Sequence, residues 1–69
     1  MDTNFIETME LIVASIREAG FEPYDQLYGY VDKGDPIYIT RQGNARELIQ
    51  KLDKGDIARY IKNLNKTDR

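Results

Sequence analysis

Gly29-Tyr-Val-Asp-Lys-Gly-Asp-Pro-Ile-Tyr-Ile-Thr-Arg-Gln-Gly-Asn-Ala-Arg46 decides the fold class. It holds three of the five glycines, one of the two prolines and two of the five tyrosines. Within it, Ile37-Tyr38-Ile39-Thr40 reads either way. Its β-branched and aromatic residues favour a strand. No other segment of the chain reads as a strand, and an isolated strand leaves its backbone hydrogen bonds unmade. The preceding Asp35-Pro36 is an N-cap followed by proline at the first helical position, a start signal for a helical turn. The expectation is a short helical turn anchoring Ile37 and Ile39, followed by a loop at Arg41-Gln42-Gly43.

Upstream, Asp2, Thr3 and Asn4 are all acceptable N-caps. A first helix then runs to about Ala19, with Gly20 as a left-handed stop. Phe5, Ile6, Met9, Ile12, Val13, Ile16 and Ala19 share one arc, and Glu7, Glu10, Arg17 and Glu18 lie opposite. Leu11 falls among the acids. A lone exposed leucine needs no explanation, and a dimer contact is the sharper reading. Pro23 opens a second helix over about Tyr24 to Asp32, whose stripe is Tyr24, Leu27, Tyr28 and Val31. Gly29 sits inside it at a cost of about 1 kcal/mol relative to Ala, which suggests close approach by another backbone. Tyr30 points off this stripe, as an interface tyrosine would. Lys33-Gly34 ends the helix.

Downstream, Asn44 caps a third helix with the stripe Ala45, Leu48, Ile49 and Leu52, and Glu47 and Lys51 stand four apart as a favourable pair. Asp53, with Asp56 three residues on, resembles a capping box for a fourth helix. Its stripe is Ile57, Tyr60, Ile61 and Leu64, and Arg59, Lys62 and Lys66 form its outer face. Residues 65–69 read as a frayed tail. The expectation is one all-α domain over residues 1–69: a bundle of four main helices plus a short helical turn, with a helix-turn-helix-like C-terminal half.

A chain of 69 residues buries only about 60% of its unfolded surface, so a lone core is marginal. Small scaffolds usually add disulfides, a metal or a partner subunit. The chain has no Cys and no His. That removes disulfides and the commonest metal ligands and leaves a homodimer as the available staple. No cofactor is called for. The longest apolar run, Leu11 to Ala14, is far too short for a membrane span or a secretory core, which makes a soluble cytoplasmic protein the expectation. Residues 1–35 carry eight acids against two bases, and residues 36–69 carry eight bases against four acids. The split means either an acidic partner for the basic half or attraction between the halves, within one subunit or across a dimer. Mixed signs are ordinary on helix surfaces, which favours the second.

The chemistry of catalysis is missing. The acids lie on solvated helix faces or in caps, and paired acid/base carboxylates need a shared cleft. Ser15 has no histidine to activate it. The glycines are too widely spaced to cradle a phosphate. The third and fourth helices have the outline of a DNA-reading helix-turn-helix, kept as the alternative function, yet a pI near 5 lacks the footprint that nucleic acid requires. Arg41 and Arg46 flank a helix N-terminus, where the helix dipole disfavours cations. They serve either an acidic or phosphorylated partner group or a salt bridge to Asp32 or Asp35.

The order Gly20-Phe21-Glu22-Pro23, Gln26-Leu27-Tyr28-Gly29-Tyr30, Gly34-Asp35-Pro36-Ile37-Tyr38-Ile39 and Asn44-Ala45-Arg46-Glu47-Leu48-Ile49 resembles the IreB/ReoM family of small regulatory phosphoproteins of Gram-positive bacteria. The spacings agree from about Ile16 to Leu52, with weaker similarity to Leu64. The resemblance implies a non-enzymatic, cytoplasmic, homodimeric helical regulator that binds protein partners. Such proteins act downstream of a membrane Ser/Thr kinase and influence peptidoglycan synthesis and antibiotic tolerance, through proteolysis of an early pathway enzyme. On this chain the partner surface would comprise Tyr38, Arg41, Gln42, Asn44 and Arg46, and the dimer interface would draw on Leu11, Gly29 and Tyr30. The family's kinase-target threonines lie in a tail ahead of the first helix. That tail is almost missing here, and Thr3 and Thr8 are the threonines nearest to it. Lys33 and Lys54-Gly55 also depart from the family pattern.

Overall fold

The computed structural model describes residues 3–64. Its elements are α1 (Thr3–Glu18), α2 (Pro23–Lys33), a 3-10 turn (Pro36–Tyr38), a second 3-10 turn (Gln42–Asn44), α3 (Ala45–Gln50) and α4 (Lys54–Leu64). No strand occurs among the described residues. Asp2 as a cap, Lys66 and the tail at 65–69 lie outside them. α1 packs on α3 and the second turn, α2 packs on α4 and the first turn, and α1 and α2 meet more narrowly.

α1 ends as its glycine predicts. Gly20 adopts φ 90°. Its N–H donates to Arg17 O at 3.0 Å, and Phe21 N–H donates to Ile16 O at 3.1 Å. This double closure satisfies the last carbonyls of the helix. Phe5, Met9, Ile12, Val13 and Ile16 are buried, with Ile6 packed beside them. α2 begins with Glu22 in extended geometry and Pro23 at the first position, and stops at Gly34, φ 73°.

Leu27 of the expected α2 stripe is fully buried and Tyr24 and Val31 pack against the core, but Tyr28 does not and Tyr30 is buried in its stead. Pro23, Leu27 and Tyr30 are the buried residues, and Tyr28 is 52% exposed. At about 100° per residue the apolar residues of α2 form one broad arc, with Tyr30 at one edge and Tyr28 at the other. The side through Pro23, Leu27 and Tyr30 faces the core. Tyr28 instead stacks on Tyr24, ring centroids 6.0 Å apart, and Lys54 Nζ lies 5.2 Å above the Tyr30 ring. Tyr30 is 3% exposed, which withdraws it from the proposed dimer surface.

Ile37–Thr40 forms no strand. Asp35 Oδ1 accepts from Ile37 N–H at 3.0 Å, and Ile39 N–H donates to Pro36 O at 2.9 Å. Ile37 lies inside the 3-10 turn, whereas Ile39 is its C-cap in extended geometry, φ −107° and ψ 133°. The two side chains leave the backbone in different directions, and only one is an anchor: Ile39 is fully buried and Ile37 is 66% exposed. Residues 42–44 form a turn where a loop was expected. Gly43 (φ 59°) and Asn44 (φ 62°) are both left-handed. A Cβ on Gly43 would fall on Ser15 Oγ and lie 3.2 Å from Ser15 Cβ, so the chain passes tightly over α1 here. Asn44 makes no side-chain cap bond, which corrects its expected role.

Asp53 does cap α4, its Oδ2 accepting from Asp56 N–H at 3.1 Å. The reciprocal half of the capping box is absent because the Asp56 carboxylate pairs with Arg59. A Cβ on Gly55 would stand 2.9 Å from Asp53 Oδ2, so the glycine leaves room for the cap. Ile57 and Ile61 are buried, with Tyr60 and Leu64 packed alongside.

Candidate functional site

The segment from Asp35 to Asn44 is pinned from two sides. From α2, Gln26 Oε1 accepts the Thr40 N–H at 2.9 Å. From α3, Arg46 Nε donates to Ile39 O at 2.9 Å and Nη2 reaches Ile37 O at 3.5 Å. Thr40 Oγ1 then accepts from Gln42 N–H at 3.2 Å. Ile39 is the apolar anchor between these bonds.

The side chains left over point outward. Tyr38 is 43% exposed, and Arg41, Gln42 and Asn44 are exposed. Together with Ile37 they make a strip of apolar, aromatic, amide and cationic groups on a fixed backbone. Arg41 has no ion-pair partner among the described residues. The sequence puts Arg41 and Arg46 in one class and the structure separates them. Arg46 is half-buried and donates to backbone carbonyls, whereas Arg41 is the cation on display. Neither reaches the suggested acids. Asp32 pairs with Lys33 at 3.5 Å, and Asp35 caps the first 3-10 turn. No ion pair joins the acidic and basic halves among the described residues.

Gly29 has a different cause from the one expected. A Cβ there would meet Tyr38 Cδ1 at 3.1 Å and Cγ at 3.3 Å. The close approach is by the Tyr38 ring of the same chain, not by another backbone. Leu11 is 61% exposed on the outer face of α1. Thr3 is exposed at the start of α1, while Thr8 is half-buried and its hydroxyl donates to Asn4 O at 2.9 Å. Gln26 was missed as a contributor. Its place in the Gln26–Tyr30 segment of the resemblance was the available signal, but a glutamine on a helix is ordinarily solvated and nothing local gives it a role.

The described carboxylates nearest to a catalytic arrangement are committed elsewhere, to caps at Asp35 and Asp53 and to ion pairs at Asp32 and Asp56. Burial raises the Tyr60 pKa above its ordinary value, and Glu10 adds to the rise while Arg17 opposes it. For a groove-reading helix pair, α3 is short at six residues, and the start of α4 sets Asp53 and Asp56 around the single cation Lys54. No helix is long and apolar enough to cross a membrane among the described residues.

The family described as IreB regulatory phosphoprotein matches residues 1–65. A curated relative, a UPF0297 protein of Lachnoclostridium phytofermentans, is 37% identical over 51 residues, covering 74% of this chain and 58% of the relative. The match thus spans less than two thirds of that protein's length.

Proposed function

The chain belongs to the IreB family of regulatory phosphoproteins, and from that premise we propose that it is a non-enzymatic adaptor that captures protein partners with the Tyr38–Asn44 strip. The observation that supports this is Arg41: an exposed guanidinium without an ion-pair partner among the described residues, on a backbone held by Gln26 and Arg46. A braced backbone leaves only the side chain to be ordered on binding a carboxylate or phosphate, and planar guanidinium suits both. The adaptor works in the cytoplasm as a homodimer. It sits downstream of a Ser/Thr kinase and governs peptidoglycan synthesis, with the proteolysis machinery of the cell among its partners.

Thr3 suits the phosphoprotein role better than Thr8. It is exposed at the start of α1, whose first turn carries no acid. A phosphate adds about −1.5 to −2 of charge, and the positive end of the helix dipole favours it there. Thr8 lies inside the helix with its hydroxyl already committed.

Affinity capture from the native cytoplasm, with wild type compared against Arg41→Ala by quantitative mass spectrometry, tests the reading. A set of proteins should be retained by wild type and lost by the variant at unchanged helicity. Equal recovery by both proteins overturns the adaptor reading.

A further inference from the structure

The resemblance includes Gln26 in the Gln26–Tyr30 segment without giving it a role, and places Arg46 on the contact surface. We propose that both are positioning residues: two braces, from α2 and α3, that hold Ile37–Thr40 in the one pose in which Tyr38 and Arg41 are presented together. This deepens the adaptor reading and rests on it.

The bonds are complementary. Gln26 takes the Thr40 N–H, and Arg46 gives to the carbonyls of Ile39 and Ile37. Each brace satisfies backbone groups that the segment cannot satisfy itself, because a three-residue 3-10 turn bonds only its own ends. Both contacts are partly buried, where an unmade bond is costly. The third constraint is the seat at Gly29, against which the Tyr38 ring lies. Between these supports the segment has little apolar burial of its own; Ile39 is its fully buried side chain. Its pose therefore depends on directed bonds, and releasing one end frees the whole of it. Arg46 contributes through its Nε and Nη2, the atoms turned toward the carbonyls, and is half-buried.

A binding-competent pose populated only fractionally weakens apparent affinity by that fraction. Loss of either brace should reduce capture about tenfold, the result expected if the competent pose falls to roughly one in ten. Loss of both should weaken it little further, because the segment is already free. Two residues that each touched a partner would instead give multiplicative losses.

The test uses the full chain and the protein set retained by wild type and lost by Arg41→Ala. Gln26→Leu, Arg46→Ala, the double variant and Gln26→Glu are compared in capture and in amide exchange at residues 37–40. The Glu variant keeps the oxygen that accepts from Thr40 N–H, so it should rescue both readouts. Gln26→Leu and Arg46→Ala should lose protection at Thr40 and lose capture, at helicity close to wild type. Lost capture with protection intact would mean direct contact and overturn the brace role. So would capture that persists after protection is lost, or failure of Gln26→Glu to rescue. Full recovery by Arg41→Ala is a separate outcome: it sinks the adaptor reading itself, and the role of the braces in capture with it.

Discussion

Two regions of this small chain are held in contrasting ways. The helical core is apolar: Met9, Ile12, Ile16, Leu27, Ile49 and Ile57 are fully buried in one cluster. In the connector from Gly34 to Arg46, Ile39 and Ala45 are the buried side chains, and two long polar residues from the flanking helices do the rest. Burial is non-directional and tolerates repacking. Hydrogen bonds fix direction and tolerate little. The core therefore supplies stability, and the connector supplies a defined surface with little stability of its own.

The largest effect that separates them is cavity formation. Ile12→Ala removes a fully buried side chain, a change that costs about 2–5 kcal/mol. A domain of this length has roughly 3–10 kcal/mol in total, so the variant should lose most of its urea midpoint. Ile37→Ala is the connector's counterpart. Its side chain is 66% exposed, and surface changes usually stay within about 0.5 kcal/mol. Similar midpoints for the two variants, followed by circular dichroism, would break the contrast.

That contrast also explains what the sequence reveals. Helix order, the stop at Gly20, the turn started by Asp35-Pro36 and the cap at Asp53 follow from local rules. So does the burial of Phe5, Met9, Ile12, Val13 and Ile16. Which edge of the broad α2 arc is buried was not legible, because Tyr28 and Tyr30 flank it and the choice depends on the elements packed against α2, α4 and the first 3-10 turn among them. At the connector, the composition marked out the segment and the cations but not their division of labour. Arg41 and Arg46 look alike until the carbonyls of Ile37 and Ile39 are located in space. Gly29 was noticed, but its reason, the Tyr38 ring, lies nine residues away.

Smaller effects arise where the two regions touch. Gly43→Ala places a Cβ against Ser15 and forces a non-glycine residue to φ 59°. The hydroxyl can rotate aside and the Ser15 Cβ cannot, so a loss of about 1–3 kcal/mol is expected, read as a lower urea midpoint. An unchanged midpoint would show that the connector does not press on α1. Gly29→Ala should divide the two properties. Alanine favours the helix by about 1 kcal/mol, and the half-exposed Tyr38 ring can swing away from the new methyl. Stability should hold or rise slightly, while the ring loses its seat. Nuclear magnetic resonance would detect this as loss of the ring-current shift on the backbone protons of residue 29. A shift retained in the variant would show that Tyr38 is not held by that seat.

The smallest effect belongs to the edge of the core, where Tyr60 meets Phe5 edge-on at 6.2 Å. Its pKa is raised first by burial and then by Glu10, against a lowering by Arg17. A raised folded-state pKa means that the native state disfavours the phenolate. The contribution to stability is therefore whole below about pH 10, the value of an unfolded tyrosine. It is lost as the pH climbs through the folded-state pKa. Because burial is the larger cause, Glu10→Gln should move the Tyr60 titration down without returning it to the unfolded value, and Arg17→Gln should move it up. Both shifts should shrink with added salt, since the charges act through partly solvated space. Titrating a selectively labelled tyrosine resolves Tyr60 from the other four. If Glu10→Gln left the titration in place, Glu10 would not lie against this ring, and the α1–α4 edge would be packed more loosely than the core behind it.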